Sequence, residues 1–202
     1  DLPDKAESEI GTVRLSWSTK GGSQHLTQAL EHVQSYDASG PCMLLEGEGA
    51  IGYNGEEVEG VDIPAPSFNF QVTKRFAGVD APDPSAIYAL TAHVNNASFS
   101  VTDTVTGRTI TLAAGECLFE GGEEAGVGDD GSVEIVYSFS ASPNKTNITE
   151  IPGITVASKK GWEYLWVEYK DKVNSRHAVT KSPEVAHVEK VFYLGSFVNL
   201  GL

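Results

Sequence analysis

The sequence predicts a mainly β fold: a β-sandwich or barrel of about ten strands with one flanking amphipathic helix at about residues 24–36, and extended arms. Three observations predict it. Apolar and polar residues alternate with period 2 in most ordered-looking segments, Gly, Pro and Asn punctuate the chain between them, and a single stretch shows a helical period.

The elements follow in chain order. Val13-Arg14-Leu15-Ser16-Trp17 alternates cleanly and reads as a strand. Ser23 is a good N-cap for the segment that follows, where Leu26, Ala29, Leu30 and Val33 recur at i, i+3, i+4 and i+7 while Gln24, Gln28, Glu31 and Gln34 cover the other side. Leu26, Leu30 and Val33 are therefore the expected packing residues of a helix laid on a sheet, and Gly40-Pro41 would close the segment. Phe68-Asn69-Phe70-Gln71-Val72 alternates, and so does 88–95, with Tyr88, Leu90, Ala92 and Val94 on one side. Residues 99–112 read as a hairpin turning at Thr106-Gly107-Arg108. Val133, Ile135, Tyr137 and Phe139 share one face of the next strand, and two long aromatic and β-branched segments follow at 162–169 and 185–194. Residues 47–60, 77–84, 121–131 and 142–153 are rich in turn formers and read as loops, with 121–131 a hairpin tip. The domain reading is an N-terminal arm at 1–10, a single β-rich domain at 11–196 and a C-terminal arm at 197–202, the arms to be ordered by a neighbouring copy.

Composition narrows the function. The chain has 202 residues, 14 Lys and Arg against 28 Asp and Glu, and a net charge of −14. Such a balance disfavours nucleic-acid binding and anionic membranes, since both would be repelled. No run of apolar residues approaches the ~18 needed to span a bilayer as a helix. The charge is uneven: residues 1–134 carry 6 basic and 22 acidic side chains, whereas 135–202 carry 8 and 6. The acids fall in runs, of which Glu56, Glu57 and Glu59, then Glu120, Glu123, Glu124, Asp129 and Asp130, are candidates for a channel lining or charged loops. The opening Asp1-Leu2-Pro3 shows no basic-then-apolar leader pattern.

The residue pool for catalysis is thin. His25, His32, His93, His177 and His187 lack metal-ligand spacing, and no G-x-S-x-G elbow, phosphate loop or dinucleotide fingerprint occurs. The 120–130 acids lack a calcium-loop frame. The expectation is therefore no catalytic residue, no metal and no cofactor. Cys42 and Cys117 each sit in a short apolar run and read as buried thiols, with a single bridge the alternative. Trp17, Trp162 and Trp166 are candidates for a glycan platform, though Trp17 and one face of 162–169 read more simply as core. Three glycosylation sequons begin at Asn96, Asn144 and Asn147 and are expected by chance in such a composition.

Several phrases carry a resemblance. They are Gly21-Gly22-Ser23-Gln24-His25-Leu26-Thr27-Gln28, Gly49-Ala50-Ile51-Gly52-Tyr53, Glu59-Gly60-Val61-Asp62-Ile63-Pro64, Ala114-Gly115-Glu116-Cys117-Leu118-Phe119, Phe139-Ser140-Ala141-Ser142-Pro143-Asn144, and 159–167 with its Lys-Lys-Gly-Trp start. In this order, over about residues 12–201, the chain resembles a family from planctomycetes and other bacteria and from tailed-phage-like gene clusters. No activity or catalytic residue comes with that resemblance. It implies a virion structural protein assembled in the host bacterial cytoplasm, most simply a tail-tube subunit that stacks in rings with an acidic lumen. Its partners would be identical subunits and other virion proteins, with neither specific nucleic-acid binding nor a membrane. The alternative is a β-sandwich binding module for glycans or cell surfaces, on a phage fibre or a secreted protein.

Overall fold

The computed structural model describes residues 10–19, 22–30, 33–36, 61–65, 68–151, 153–173 and 179–202. Over these the protein is mainly β. In place of one domain at 11–196, the chain forms two compact units. The first comprises residues 1–19, 68–141 and 192–202, and the second 20–67 and 142–191.

The first unit is built on β1 (Val13–Ser18), β5 (Phe68–Phe76), β10 (Val133–Ala141), β9 (Cys117–Val127), β6 (His93–Asn95) and β15 (Tyr193–Gly195), which form a six-stranded sheet in that order. The pairs are antiparallel except the last, where β15 runs parallel to β6 from Tyr193↔His93 to Gly195↔Asn95. Period-2 alternation gives the sheet one apolar face: Phe70, Val72 and Phe76, then Ile135, Tyr137 and Phe139, then Cys117 and Phe119, all buried. That face is covered by the hairpin β7 (Phe99–Thr102) and β8 (Thr109–Leu112), by helix α1 (Pro84–Leu90), and by a 3₁₀ turn at Phe197–Leu200. The hairpin is where the alternation placed it.

The second unit holds a five-stranded sheet in the order β14 (Val179–Lys190), β13 (Glu163–Val173), β3 (Val33–Tyr36), β2 (Gly22–Leu30) and β4 (Val61–Ala65). A separate hairpin, β11 (Lys145–Ile151) and β12 (Ile154–Lys159), contributes Ile148, Ile151 and Val156 to a small core with Leu165 and Val167 of β13. Lys159 is buried there, and its ammonium donates to the Lys160 and Gly161 carbonyls at 3.1 and 3.0 Å. Such bonding is what a buried amine requires.

Four expectations need correction. The helix at 24–36 is absent: the segment forms β2 and β3, so Leu26 and Leu30 lie on one strand and Val33 on the next, with no helix to pack. The same residues place Leu26, Gln28 and Leu30 at alternate positions, and an isolated helix of about 13 residues is marginal in water. Pairing of β2 with β4 from Gly22↔Ala65 to Leu26↔Val61, and with β3 at Thr27↔Ser35, overrides the weak helical preference. Second, the helix of the first unit occupies 84–90, from the end of the stretch read as the 77–84 loop into the first residues of the 88–95 stretch read as a strand. Asp83 caps it by accepting from the Ser85 amide at 2.7 Å, and Pro84 sits in its first turn. Third, most of 121–131 belongs to β9, and 145–151 of the supposed 142–153 loop forms β11.

The fourth correction concerns the C-terminal arm. Phe197 and Leu200 are buried in the core of their own unit, the Tyr137 hydroxyl donates to the Leu200 carbonyl at 3.0 Å, and the Lys74 ammonium donates to the Gly201 carbonyl. Residues 197–202 therefore close the chain's own core. The spacing of Phe197 and Leu200, three apart, suits a 3₁₀ turn whose i and i+3 side chains share a side. Residues 1–9 of the N-terminal arm lie outside the described residues.

Candidate functional site

The first unit carries two surfaces on which function can be argued. One is the sheet's outer boundary. At the β1 end the boundary is covered: the Val13 and Leu15 amides donate to Thr104 Oγ1 and Asp103 Oδ2 at 3.0 Å each, and the Thr104 amide returns a bond to the Val13 carbonyl at 2.9 Å. Asp103 is buried and also accepts from the Val105 and Thr106 amides at 2.9 and 2.7 Å. These amide bonds, that from Leu15 foremost, hold its carboxyl down at about 2. Arg14, exposed and 3.7 Å away, adds little.

A folded-state value below the unfolded one means that Asp103 contributes stability above about pH 4, lost as pH falls through about 2. Urea midpoints of the wild type and of Asp103→Asn should therefore differ most at neutral pH and converge between pH 4 and pH 2. A gap independent of pH would contradict this role.

At the other end, β15 has no described strand on its far side. Tyr193 is 81% exposed and Leu194 54%. Leu90 of α1 and His93 of β6 lie against Gly195, and α1 touches the 197–200 turn. Those neighbours leave Tyr88 and Val198 exposed as well. Uncovered edge amides flanked by large apolar side chains form a template for another chain.

The second surface is a groove of about 760 Å³ between α1, the 78–84 loop and the sheet. Ile87, Val133 and Ile135 supply apolar lining, Tyr88 stands on α1, and Glu123 and Glu124 of β9 supply carboxylates. Gly122 lets the helix approach: a Cβ there would meet Ile87 Cγ2 and the Tyr137 ring at 3.1 Å. Two register shifts in the β9–β10 pairing, at Ser138/Phe139 and Glu134/Ile135, bracket this stretch.

The remaining acids scatter. Glu120 Oε1 accepts from the Ser140 hydroxyl beside a mixed cleft of about 310 Å³ lined also by Ser16, Trp17, Asn69 and Phe70. Asp130 is tied into the turn before β10: Ser132 Oγ donates to it at 2.6 Å and the Ser132 amide at 3.0 Å, with Arg75 at 3.4 Å. Those bonds, the hydroxyl first, hold its carboxyl below the ordinary value. Asp129 is exposed in the same turn. Glu56, Glu57 and Glu59 lie outside the described residues. Thus Glu123 and Glu124 share the groove, while Glu120 and Asp130 have structural partners.

Trp17 is 56% exposed at the sheet edge, against the reading of it as core. Cys117 is a free, buried thiol whose burial pushes its proton affinity up; Cys42 lies outside the described residues. Trp166 stacks on His187 with ring centroids 4.3 Å apart, and His187 Nε2 lies 3.4 Å from Glu168. Among the described residues, no three of His, Cys, Asp and Glu converge as metal ligands, and no helix is long and apolar enough to cross a membrane. The exposed edge was missed in the sequence because Tyr193 and Leu194 look like core residues of a longer strand. The groove was missed with the helix, although Asp83-Pro84-Ser85 carries the cap and first-turn proline that signal one. No family model, curated protein or solved structure matches the chain.

Proposed function

We propose that this chain is a non-enzymatic structural subunit that assembles with copies of itself in a phage or phage-like particle, as a tail-tube ring. The observation that carries the reading is the asymmetry of the six-stranded sheet. Its β1 end is capped by the 103–104 turn, while its β15 end is left uncapped and apolar. A surface of that kind, meeting a different patch on the next copy, builds a heterologous interface, and such interfaces close into rings or propagate as tubes. A net charge of −14 suits a tube that passes DNA, because phosphates are repelled from an acidic wall. Other virion proteins would be its further partners and the virion its location.

Negative-stain images and sedimentation of the purified chain test this. Rings or tubes are expected, and Tyr193→Asp with Leu194→Asp should reduce assembly at least tenfold while leaving the far-ultraviolet spectrum unchanged. A wild type that stays monomeric at high concentration would sink the reading. The exposed Trp17 favours a second reading, a β-sandwich module that binds glycans through an aromatic face. Glycan-array binding by a stable monomer, lost in Trp17→Ala, would put that reading first.

A further inference from the structure

We propose that the groove beside α1 receives the tip of the β7–β8 hairpin, residues 104–108, of a second copy of this chain. The proposal rests on the self-assembly reading and names the two surfaces that meet.

The tip is built to enter a groove. All six backbone amides from Asp103 to Arg108 are bonded. Those of Asp103, Thr104 and Gly107 donate to the Arg108, Val13 and Asp103 carbonyls, those of Val105 and Thr106 to Asp103 Oδ1, and that of Arg108 to Thr106 Oγ1. Such a turn can be buried without stranding an amide or ordering a loop, and either would cost affinity. What it presents is side chains: Val105, 62% exposed, and Arg108, exposed and without an ion-pair partner among the described residues. Its one carboxylate, Asp103, is buried beneath the turn.

The groove offers the complement. Ile87, Val133 and Ile135 reward burial of an apolar side chain such as Val105. Tyr88, 82% exposed on α1, adds an aromatic ring, and Tyr and Arg are the residue types that most often anchor interfaces. Glu123 and Glu124 line the same groove, neither with an ion-pair partner among the described residues. A guanidinium is the group that suits such carboxylates.

The strand register sets the two surfaces at one level on opposite sides. Val13, whose carbonyl accepts from the Thr104 amide, stands opposite Lys74, Lys74 opposite Ile135, and Ile135 opposite Glu124. β6 pairs with β9 at Leu118, well before Glu124, so on this row the described sheet runs from β1 to β9. The tip is tied to one side of the row and the carboxylates stand at the other, three strand spacings or about 14 Å apart. A copy's tip is thereby held away from its own groove and toward that of a neighbour. The contact is heterologous, tip to groove, and copies placed side by side on this row repeat it as a ring requires.

A charge swap on the full chain tests it. One variant carries Glu123→Lys and Glu124→Lys; the other carries Arg108→Glu. Each alone should associate at least fivefold more weakly than the wild type in sedimentation at low salt, since tip and groove then have the same sign. An equimolar mixture should recover assembly, because each groove again meets a tip of opposite sign. Recovery also shows that both variants fold. If the wild type assembles and both variants assemble equally well alone, the docking is wrong and self-assembly stands. If the variants are impaired and their mixture stays so, the docking is likewise wrong. If the wild type never assembles, the self-assembly reading fails and the docking with it. A monomeric wild type that binds a polyarginine peptide, with binding lost in Glu123→Lys with Glu124→Lys, would assign the groove to another protein and overturn the pairing of copies.

Discussion

Phe139→Ala should destabilise the first unit by about 4 kcal/mol, the largest loss expected from any single truncation here. Phe139 is fully buried and has four aromatic neighbours: Phe70 stacked at 5.0 Å between ring centroids, Phe99 and Phe119 each at 5.2 Å, and Phe197 at 5.9 Å. These neighbours come from β5, β7, β9 and the C-terminal turn, so the ring sits where four separate segments meet. Truncation removes both the transfer free energy of the ring and its contacts, and the rigid sheet around it cannot collapse to fill the space. The effect reaches the proposed assembly surface, since Phe197 lies two residues after β15. Chemical denaturation should show the midpoint falling with the slope unchanged. Phe139→Leu, which keeps most of the volume, should recover more than half of the loss. Equal losses for the two variants would mean that ring packing is not what Phe139 contributes.

How much of this was legible in the sequence follows from where the information lies. Strands β1, β5, β7, β8 and β10 were readable because each alternates apolar and polar residues over several positions, and the 99–112 hairpin because its turn is local. The 22–36 segment was misread because, beyond the β2–β3 pairing inside it, its partners on β4 and β13 lie 35 or more positions away along the paired residues, and nothing within the segment encodes them. Helix α1 was hidden at its end, where the chain turns on Ala92 at a φ of 62°, a position usually marked by Gly. Gly121 and Gly122 suggested a loop tip, yet Gly122 serves close helix packing inside β9. The C-terminal residues looked like an arm because they are short and apolar, and only the core of the first unit shows what Phe197 and Leu200 cover. Of the candidate site, the acids were visible but not their grouping: Glu123 and Glu124 line a groove, and Asp130, seven or fewer positions on, is occupied within its own turn.

Asn95→Ala should cost about 3 kcal/mol and should also loosen the edge strand on which assembly is proposed to depend. Asn95 is 2% exposed, and its side-chain amide serves four backbone groups. Nδ2 donates to the Ala97 and Ala113 carbonyls at 2.7 and 2.8 Å, while Oδ1 accepts from the Gly115 and Cys117 amides at 3.1 and 2.8 Å. Its full hydrogen-bonding capacity is thus spent in tying β6 to the 113–117 segment that starts β9. Alanine deletes all four bonds in one step. The Gly115 amide keeps its bond to the Asn95 carbonyl at 2.9 Å, but the Cys117 amide and two carbonyls lose a buried partner. Strand β6 is only three residues long, and β15 hangs on it through the pairs Tyr193↔His93 to Gly195↔Asn95. Loss of the Asn95 anchor therefore reaches β15 directly. Amide hydrogen exchange should speed up at residues 93–96, 115–117 and 193–195 before it changes in β5 and β10. Asn95→Asp at neutral pH keeps an acceptor for the Gly115 and Cys117 amides, but its carboxylate cannot donate to the Ala97 and Ala113 carbonyls and is repelled by them, so it too should destabilise the unit. If Asn95→Ala left exchange at 193–195 unchanged, β15 would be held by its own turn and not through β6, and assembly would not respond to this substitution.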